Sequence, residues 1–312
     1  VGYRERLPQL EGDLFLTDGG IETSLIFHDG LDLPLFAAFT LFRDEEGIDA
    51  IRRYFAPYVE LASEGGLGFV LESPTWRASS RWATELGYSA EELDALNRKA
   101  IALMAELRDE HLADPTPFVI SGCIGPQGDG YSPEEILSAE DAQAYHSPQI
   151  ETFADTEADM VTALTLTYVD EAIGIARAAK AAGIPAAIAF TVETDGRLPD
   201  GTTLAEAIER TDAATDGYPA YYMINCAHPT HFADVLGEGD WVSRVRGLRA
   251  NASTRSHAEL DEAEDLDDGD PEDLGARYAA LRAALPGLTV VGGCCGTDQR
   301  HVAAIRDAMT SA

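Results

Sequence analysis

Residues 159–192 read DMVTALTLTYVDEAIGIARAAKAAGIPAAIAFTV. A β-rich apolar run (159–164) is followed by a stretch with helical periodicity and then by a second β-rich run (186–192). That is the pattern of a βαβ unit, in which two parallel strands flank a crossover helix. Working outward in both directions, the same alternation recurs every 25 to 45 residues or so, which implies a parallel sheet. The candidate strands are 14–17, 68–72, 117–122, 159–164, 186–192, 220–225, 245–249 and 288–291. No linker, low-complexity stretch or repeat interrupts these eight units. They predict an α/β fold, a single (β/α)8 TIM barrel over residues 1–312, in preference to an open doubly wound sheet.

Helix signals fill the intervals. Ile48, Ile51, Phe55, Tyr58 and Ala62 form one apolar stripe, and Leu93, Leu96, Ala100, Leu103 and Leu107 form another; both follow the 3.6-residue period of a half-buried helix. Ser89 with Glu92, Ser132-Pro133 with Glu135, and Thr203 with Glu206 have the spacing of capping boxes and predict helix starts.

The 312 residues include 55 acidic and 22 basic side chains, a net charge of −33, and only two of the basic residues, Lys99 and Lys180, are lysines. Such a field repels nucleic acid and anionic membranes, so neither is an expected partner. The carboxylates are spread along the chain, which argues against an acidic tail and for a protein adapted to concentrated salt, a halophilic one. The densest run, 259–273, contains Asp265-Leu-Asp-Asp-Gly-Asp270. Its glycine is misplaced for a calcium loop and no glutamate closes it, so a solvated loop is expected. No run of about 18 apolar residues occurs, and the opening VGYRERLPQLEGD lacks the basic-then-apolar pattern of a signal peptide. A cytoplasmic protein is therefore expected, with a homo-oligomer as one open arrangement.

Polar or reactive residues gather just after the expected strands: Asp18, Glu72, Cys123, Thr165, Glu193, Cys226, Asn251 and Cys294. In a (β/α)8 barrel these positions share one rim, the face that carries catalysis. Asn225-Cys226 ends the sixth strand and Gly292-Gly293-Cys294-Cys295-Gly296-Thr297 follows the eighth. Four cysteines in a chain of this length make no disulfide framework, and adjacent ones form a strained bridge. Three convergent thiolates suit Zn2+ and leave its fourth tetrahedral position open, so Cys226, Cys294 and Cys295 are the expected zinc ligands and the catalytic residues.

On these motifs, together with Thr17-Asp18-Gly19-Gly20 and Gly122-Cys123-Ile124-Gly125-Pro126, the sequence resembles the homocysteine S-methyltransferase family over nearly its whole length. The resemblance implies a zinc-dependent barrel in which the substrate thiol takes the open position and accepts a methyl group from a sulfonium, quaternary ammonium or folate donor. It also associates Asp18 with the ammonium of homocysteine. Two features depart from the family pattern. Leu164 stands where relatives commonly place a glutamate for the same amino group, and Glu72-Ser-Pro-Thr-Trp76-Arg77-Ala-Ser79 replaces a Thr-Asn signature on the second strand. An apolar side chain cannot pair with an ammonium, so homocysteine recognition should weaken unless another carboxylate takes over; Asp18 would then carry it, with Glu22 or Glu193 as helpers.

The expected substrate-binding set is therefore Asp18, Gly19, Glu22, Glu72, Thr165, Glu193, Asn225 and Asn251. A carboxylate or Trp76 near the metal suits a cationic donor. His228 and His231 follow a ligand closely and are expected behind the metal or against substrate, and Cys123 is expected as a packed thiol. No dinucleotide-binding glycine fingerprint follows a strand. Lyase or hydrolase chemistry on the same barrel is the competing enzyme reading, which three thiolates disfavour because hydrolytic zinc prefers histidine and carboxylate. A zinc-thiolate redox or thiol sensor is the non-enzymatic alternative.

The charge reading carries its own test. Raising KCl from ~0.1 M to ~2 M shrinks the Debye length from about 10 Å to below about 3 Å and should raise the melting midpoint, because carboxylate repulsion is screened. A flat or falling midpoint in calorimetry would show that the acidic surface is not an adaptation to salt.

Overall fold

The computed structural model describes residues 2–111, 116–133, 135–237, 239–263 and 265–311. Eight parallel strands close into a barrel in the order β1 to β8, with β1 paired to both β2 and β8. They are β1 (Phe15–Leu16), β2 (Gly68–Glu72), β3 (Phe118–Ile124), β4 (Met160–Leu166), β5 (Ala186–Phe190), β6 (Tyr221–Asn225), β7 (Val245–Ala250) and β8 (Val290–Gly293). Each falls on an expected β-rich run. The ends differ by up to two residues, because chain that leaves the ladder at a barrel rim keeps the same apolar composition.

The long helices are α1 (Glu45–Gly65), α2 (Ala90–Glu110), α3 (Ala139–Ala154), α4 (Val169–Ala182), α5 (Leu204–Thr215), α6 (Pro271–Leu281) and α7 (Gln299–Thr310). Both apolar stripes face inward: Ile51, Phe55, Tyr58 and Ala62 of α1 are buried, as are Leu96, Ala100, Leu103 and Leu107 of α2. Capping boxes open α2 at Ser89 and α5 at Thr203, as expected.

The third box does not form. α3 starts at Ala139, with Ser138 accepting from the Asp141 amide, and Ser132 lies in a loop. There Asp129 Oδ1 accepts from the amides of Tyr131 at 2.8 Å and Ser132 at 2.9 Å, an aspartate turn that competes with a helix start. The 259–273 run is likewise put to structural use. Asp270 caps α6, Asp267 accepts from Ser253 Oγ at 2.7 Å, and Asp268 pairs with Arg300 at 2.7 Å.

Two asymmetries shape the barrel. At the N-terminal end of the strands, Leu7 packs into the inner core beside Phe15, Val70, Val119, Met160 and Tyr221. Gln9 Nε2 donates to Met160 Sδ at 3.1 Å, and Asp159 Oδ1 accepts from the Tyr3 amide, so the first residues seal that end. The C-terminal end stays open. Between β6 and β7 the described chain makes only short helical turns, Pro229–Phe232, Ala233–Val235 and Asp240–Arg244, in place of a long crossover helix.

Ser89→Ala should cost about 1 kcal/mol of stability, since it removes the side-chain acceptor for the Glu92 amide at a solvent-facing helix start. Denaturant unfolding should show a lower midpoint at an unchanged m-value, and an unchanged midpoint would mean that the box contributes nothing.

Candidate metal and substrate site

The open end of the barrel holds a cavity of roughly 290 Å³ with Cys226, Cys294 and Cys295 in its wall. Their three sulfurs lie within 4.8 Å of one another. Thiolates at about 2.3 Å from a tetrahedral Zn2+ stand roughly 3.8 Å apart, a spacing that falls inside this bound. Local backbone explains the convergence. Cys226 adopts φ 53°, a left-handed conformation that a non-glycine residue holds only at a cost of order 1–3 kcal/mol, which turns its side chain away from the strand direction. Its amide donates to Arg249 O and that of Cys294 to Ala250 O, each at 2.9 Å, so β7 fixes both cysteine segments. Gly20 permits the tight fit between the β1 and β8 loops: a Cβ there would lie 2.5 Å from Cys294 O.

The sulfurs are surrounded by donors. Asn225 Nδ2 reaches Cys294 Sγ at 3.8 Å and Asn251 Nδ2 reaches Cys226 Sγ at 3.7 Å. The Tyr131 hydroxyl lies 3.0 Å from Cys226 Sγ and 3.5 Å from Cys295 Sγ. The hydrogen-bonding neighbour Cys226, with burial added, holds the Cys294 thiol well above its ordinary pKa. Three crowded thiols resist ionising together, and a divalent cation reverses that balance.

The expected substrate residues divide. Asp18, Gly19, Glu22, Glu72 and Thr165 line the cavity, beside Leu164 and Trp76. Asn225 instead exchanges two 2.8 Å hydrogen bonds with Thr165, itself left-handed at φ 64°, and Asn251 Oδ1 accepts from the Ser253 amide; both support the cluster from behind. Glu193 is not part of the cavity wall. Its carboxylate meets His257 Nδ1 at 3.2 Å, and His257 Nε2 meets Cys226 O at 2.9 Å, so it reaches the cluster only through the imidazole. Asp18 is already occupied: buried, it receives the Tyr54 hydroxyl at 2.9 Å and pairs with Arg249 at 2.8 Å.

His228 caps the short helix Pro229–Phe232, and His231 Nε2 meets Thr254 O at 2.9 Å; neither joins the sulfur group. Burial pushes His228 down to about 4, consistent with a neutral cap. Cys123 is buried in the barrel interior outside the sulfur group, and burial raises its pKa well above the usual thiol range.

Sequence reasoning passed over Arg249, Tyr131 and His257. Arg249 is the last residue but one of β7 and is buried inside the barrel; the signal was a second arginine, after Arg246, in a strand of six residues. Tyr131 stacks on His257 with ring centroids 4.0 Å apart, in the loop whose Ser132-Pro133 and Glu135 imitate a helix start.

Burial dominates the electrostatics of the carboxylates. It raises Glu22 to about 7, and Glu72 also to about 7 against the opposing pull of Arg249 and of the Ser121 and Thr162 hydroxyls.

The homocysteine S-methyltransferase family model matches residues 15–309. A selenocysteine Se-methyltransferase of Brassica oleracea var. italica is 23% identical, the alignment covering 96% of this chain and 90% of the relative. Homocysteine S-methyltransferase YbgG of Bacillus subtilis is 25% identical, with coverage of 93% and 92%. The metallated homocysteine methyltransferase MmuM of Escherichia coli has the same fold, with a TM-score of 0.73 at 23% identity over 94% of this chain and 96% of that one. The chain belongs to the homocysteine S-methyltransferase family.

The buried carboxyl of Glu72 makes stability depend on pH. Its folded value of about 7 lies above the ordinary 4.5, so the folded state binds more protons between these values. The resulting stabilisation is complete below about pH 4.5 and is lost as the pH rises through about 7. Glu72→Gln should therefore raise the melting midpoint over wild type more at pH 8 than at pH 5. Equal differences at the two pH values would show that the carboxyl titrates like an exposed one.

Proposed function

We propose that this family member is a zinc-dependent S-methyltransferase that moves a methyl group from a small donor to a thiol, with homocysteine as the first candidate acceptor. The observation that carries the proposal is a cluster of three cysteine sulfurs in the wall of a cavity that also has aromatic and acidic walls. Cys226, Cys294 and Cys295 hold the ion. When bound, zinc lowers the pKa of a coordinating thiol and delivers it as a thiolate at neutral pH.

The remaining work falls to the chain. The acceptor sulfur attacks the methyl carbon in line; a new C–S bond forms as the donor–methyl bond breaks, and its electron pair leaves with the donor. Orientation supplies much of the rate of such a displacement. Asn225 and Asn251 donate to the cysteine sulfurs and fix their direction, and Glu193 steadies the Cys226 carbonyl through His257. Asp18, Gly19, Glu22, Glu72 and Thr165 form the substrate walls. Trp76 and Tyr131, with Asp129 and Asp261 beside them, suit a cationic donor, whose charge is attracted both to aromatic faces and to carboxylates. The highly acidic composition supports a cytoplasm rich in salt as the working environment.

Metal analysis should find one zinc per chain, and Cys226→Ser, Cys294→Ser and Cys295→Ser should each lose most of it. A mass-spectrometric screen crossing small thiols with sulfonium, quaternary ammonium and folate donors should yield a methylated thiol. Full zinc occupancy in Cys294→Ser, or no methylated product from any pair, would overturn the assignment.

A further inference from the structure

Two of the residues that line the cavity, Arg249 and Glu72, each keep a buried polar atom that the fold leaves without a partner. Arg249 is 4% exposed and Glu72 5%, and both line the cavity. The Arg249 Nε donates to Gly293 O at 2.9 Å, and its Nη2 donates to Gly19 O at 3.0 Å and pairs with Asp18 Oδ1 at 2.8 Å. Among the described residues, Nη1 meets no hydrogen-bond partner, and neither does Glu72 Oε2. The two side chains act on each other electrostatically, yet no ion pair within 4.0 Å joins them. A guanidinium nitrogen and a carboxylate oxygen, both withdrawn from water, are costly to leave unsatisfied.

We infer that Arg249 and Glu72 are the specificity-determining residues for the polar end of the thiol: Arg249 Nη1 donates to a carboxylate and Glu72 Oε2 accepts from an ammonium. This rests on the thiol-binding part of the function proposed above. One ligand satisfies both atoms if it carries the two charges on neighbouring atoms, as an α-amino acid does, so the substrate class is a zwitterionic amino-acid thiol. A planar guanidinium whose other nitrogens are fixed to backbone offers Nη1 in one direction, which favours a carboxylate over a diffuse anion. Glu72 also answers the difficulty posed by Leu164, which is 8% exposed and forms an apolar wall of the same cavity. The carboxylate missing from β4 is supplied by β2, while Asp18 is committed to Arg249 and Tyr54.

The test is calorimetric binding of three thiols to the zinc-loaded protein without a methyl donor: homocysteine, 4-mercaptobutyrate, which lacks the ammonium, and 3-aminopropane-1-thiol, which lacks the carboxylate. Wild type should bind homocysteine about tenfold or more tightly than either truncated thiol. Glu72→Gln should narrow the gap to 4-mercaptobutyrate alone. Arg249→Lys keeps a cation for Asp18 but lacks the Nη1 donor, and should narrow the gap to the aminothiol alone. Wild-type affinities equal for all three thiols, or an unchanged 4-mercaptobutyrate gap in Glu72→Gln, would overturn the assignment. The Glu72→Gln series decides the matter even if Arg249→Lys does not fold. Discrimination among thiols with no methyl transfer would sink the reaction and leave this assignment standing; methyl transfer without discrimination would do the reverse.

Discussion

The site depends on one buried cation placed where the barrel closes. β1 is two residues long and contributes little ladder of its own, yet it must hold Asp18, Gly19 and Gly20 against the loop after β8. Arg249, on β7, crosses β8 to reach it: one nitrogen takes the carbonyl of Gly293, another takes the carbonyl of Gly19 and the carboxylate of Asp18. Burying a guanidinium is expensive unless its charge and its donors are answered, and here a carboxylate and two backbone carbonyls answer most of them. The same contacts join the strand ends on either side of the cysteine loop, so the cation that closes the barrel also fixes the geometry of the sulfur cluster.

Around that tie the chemistry is layered. Cys226 and Thr165, at the ends of β6 and β4, both adopt left-handed backbone, and Asn225 links them by bonding Thr165 twice. The strain is held by hydrogen bonds on all sides, as expected where side chains must be aimed against the run of their strands. His257 faces an acceptor at each ring nitrogen, the Glu193 carboxylate and the Cys226 carbonyl, and carries Tyr131 stacked on its face. Residues far apart in sequence thus converge on a single cysteine, Cys226.

Much of this was legible in the sequence, for identifiable reasons. Strands of a parallel barrel are buried on both faces and read as short apolar runs, so all eight stood out, and the rim rule then collected the cysteines, Asp18 and Glu72. Side chains whose role depends on reach did not stand out. Glu193 follows a strand as the rule requires, but its carboxylate ends on His257, a contact that no spacing encodes. Tyr131 sits in a loop whose Ser-Pro and glutamate imitate a helix start, and an aspartate turn decides otherwise. Arg249 was hidden by its own strand, because β7 also carries the half-buried Arg246 and composition alone does not tell which arginine enters the barrel.

The sulfur cluster draws on β6 and β8, which are not neighbours: β7 lies between them, and the crossover into β7 has no long helix among its described residues. On the function proposed above, a zinc ion held by Cys226 and Cys294 would therefore also be a cross-link that closes the chain from 226 to 294 into a ring. Occupancy of the site and cohesion of that part of the barrel would then become one thermodynamic quantity. Loss of the ion would then be felt as local opening of the wall before any change in the rest of the fold.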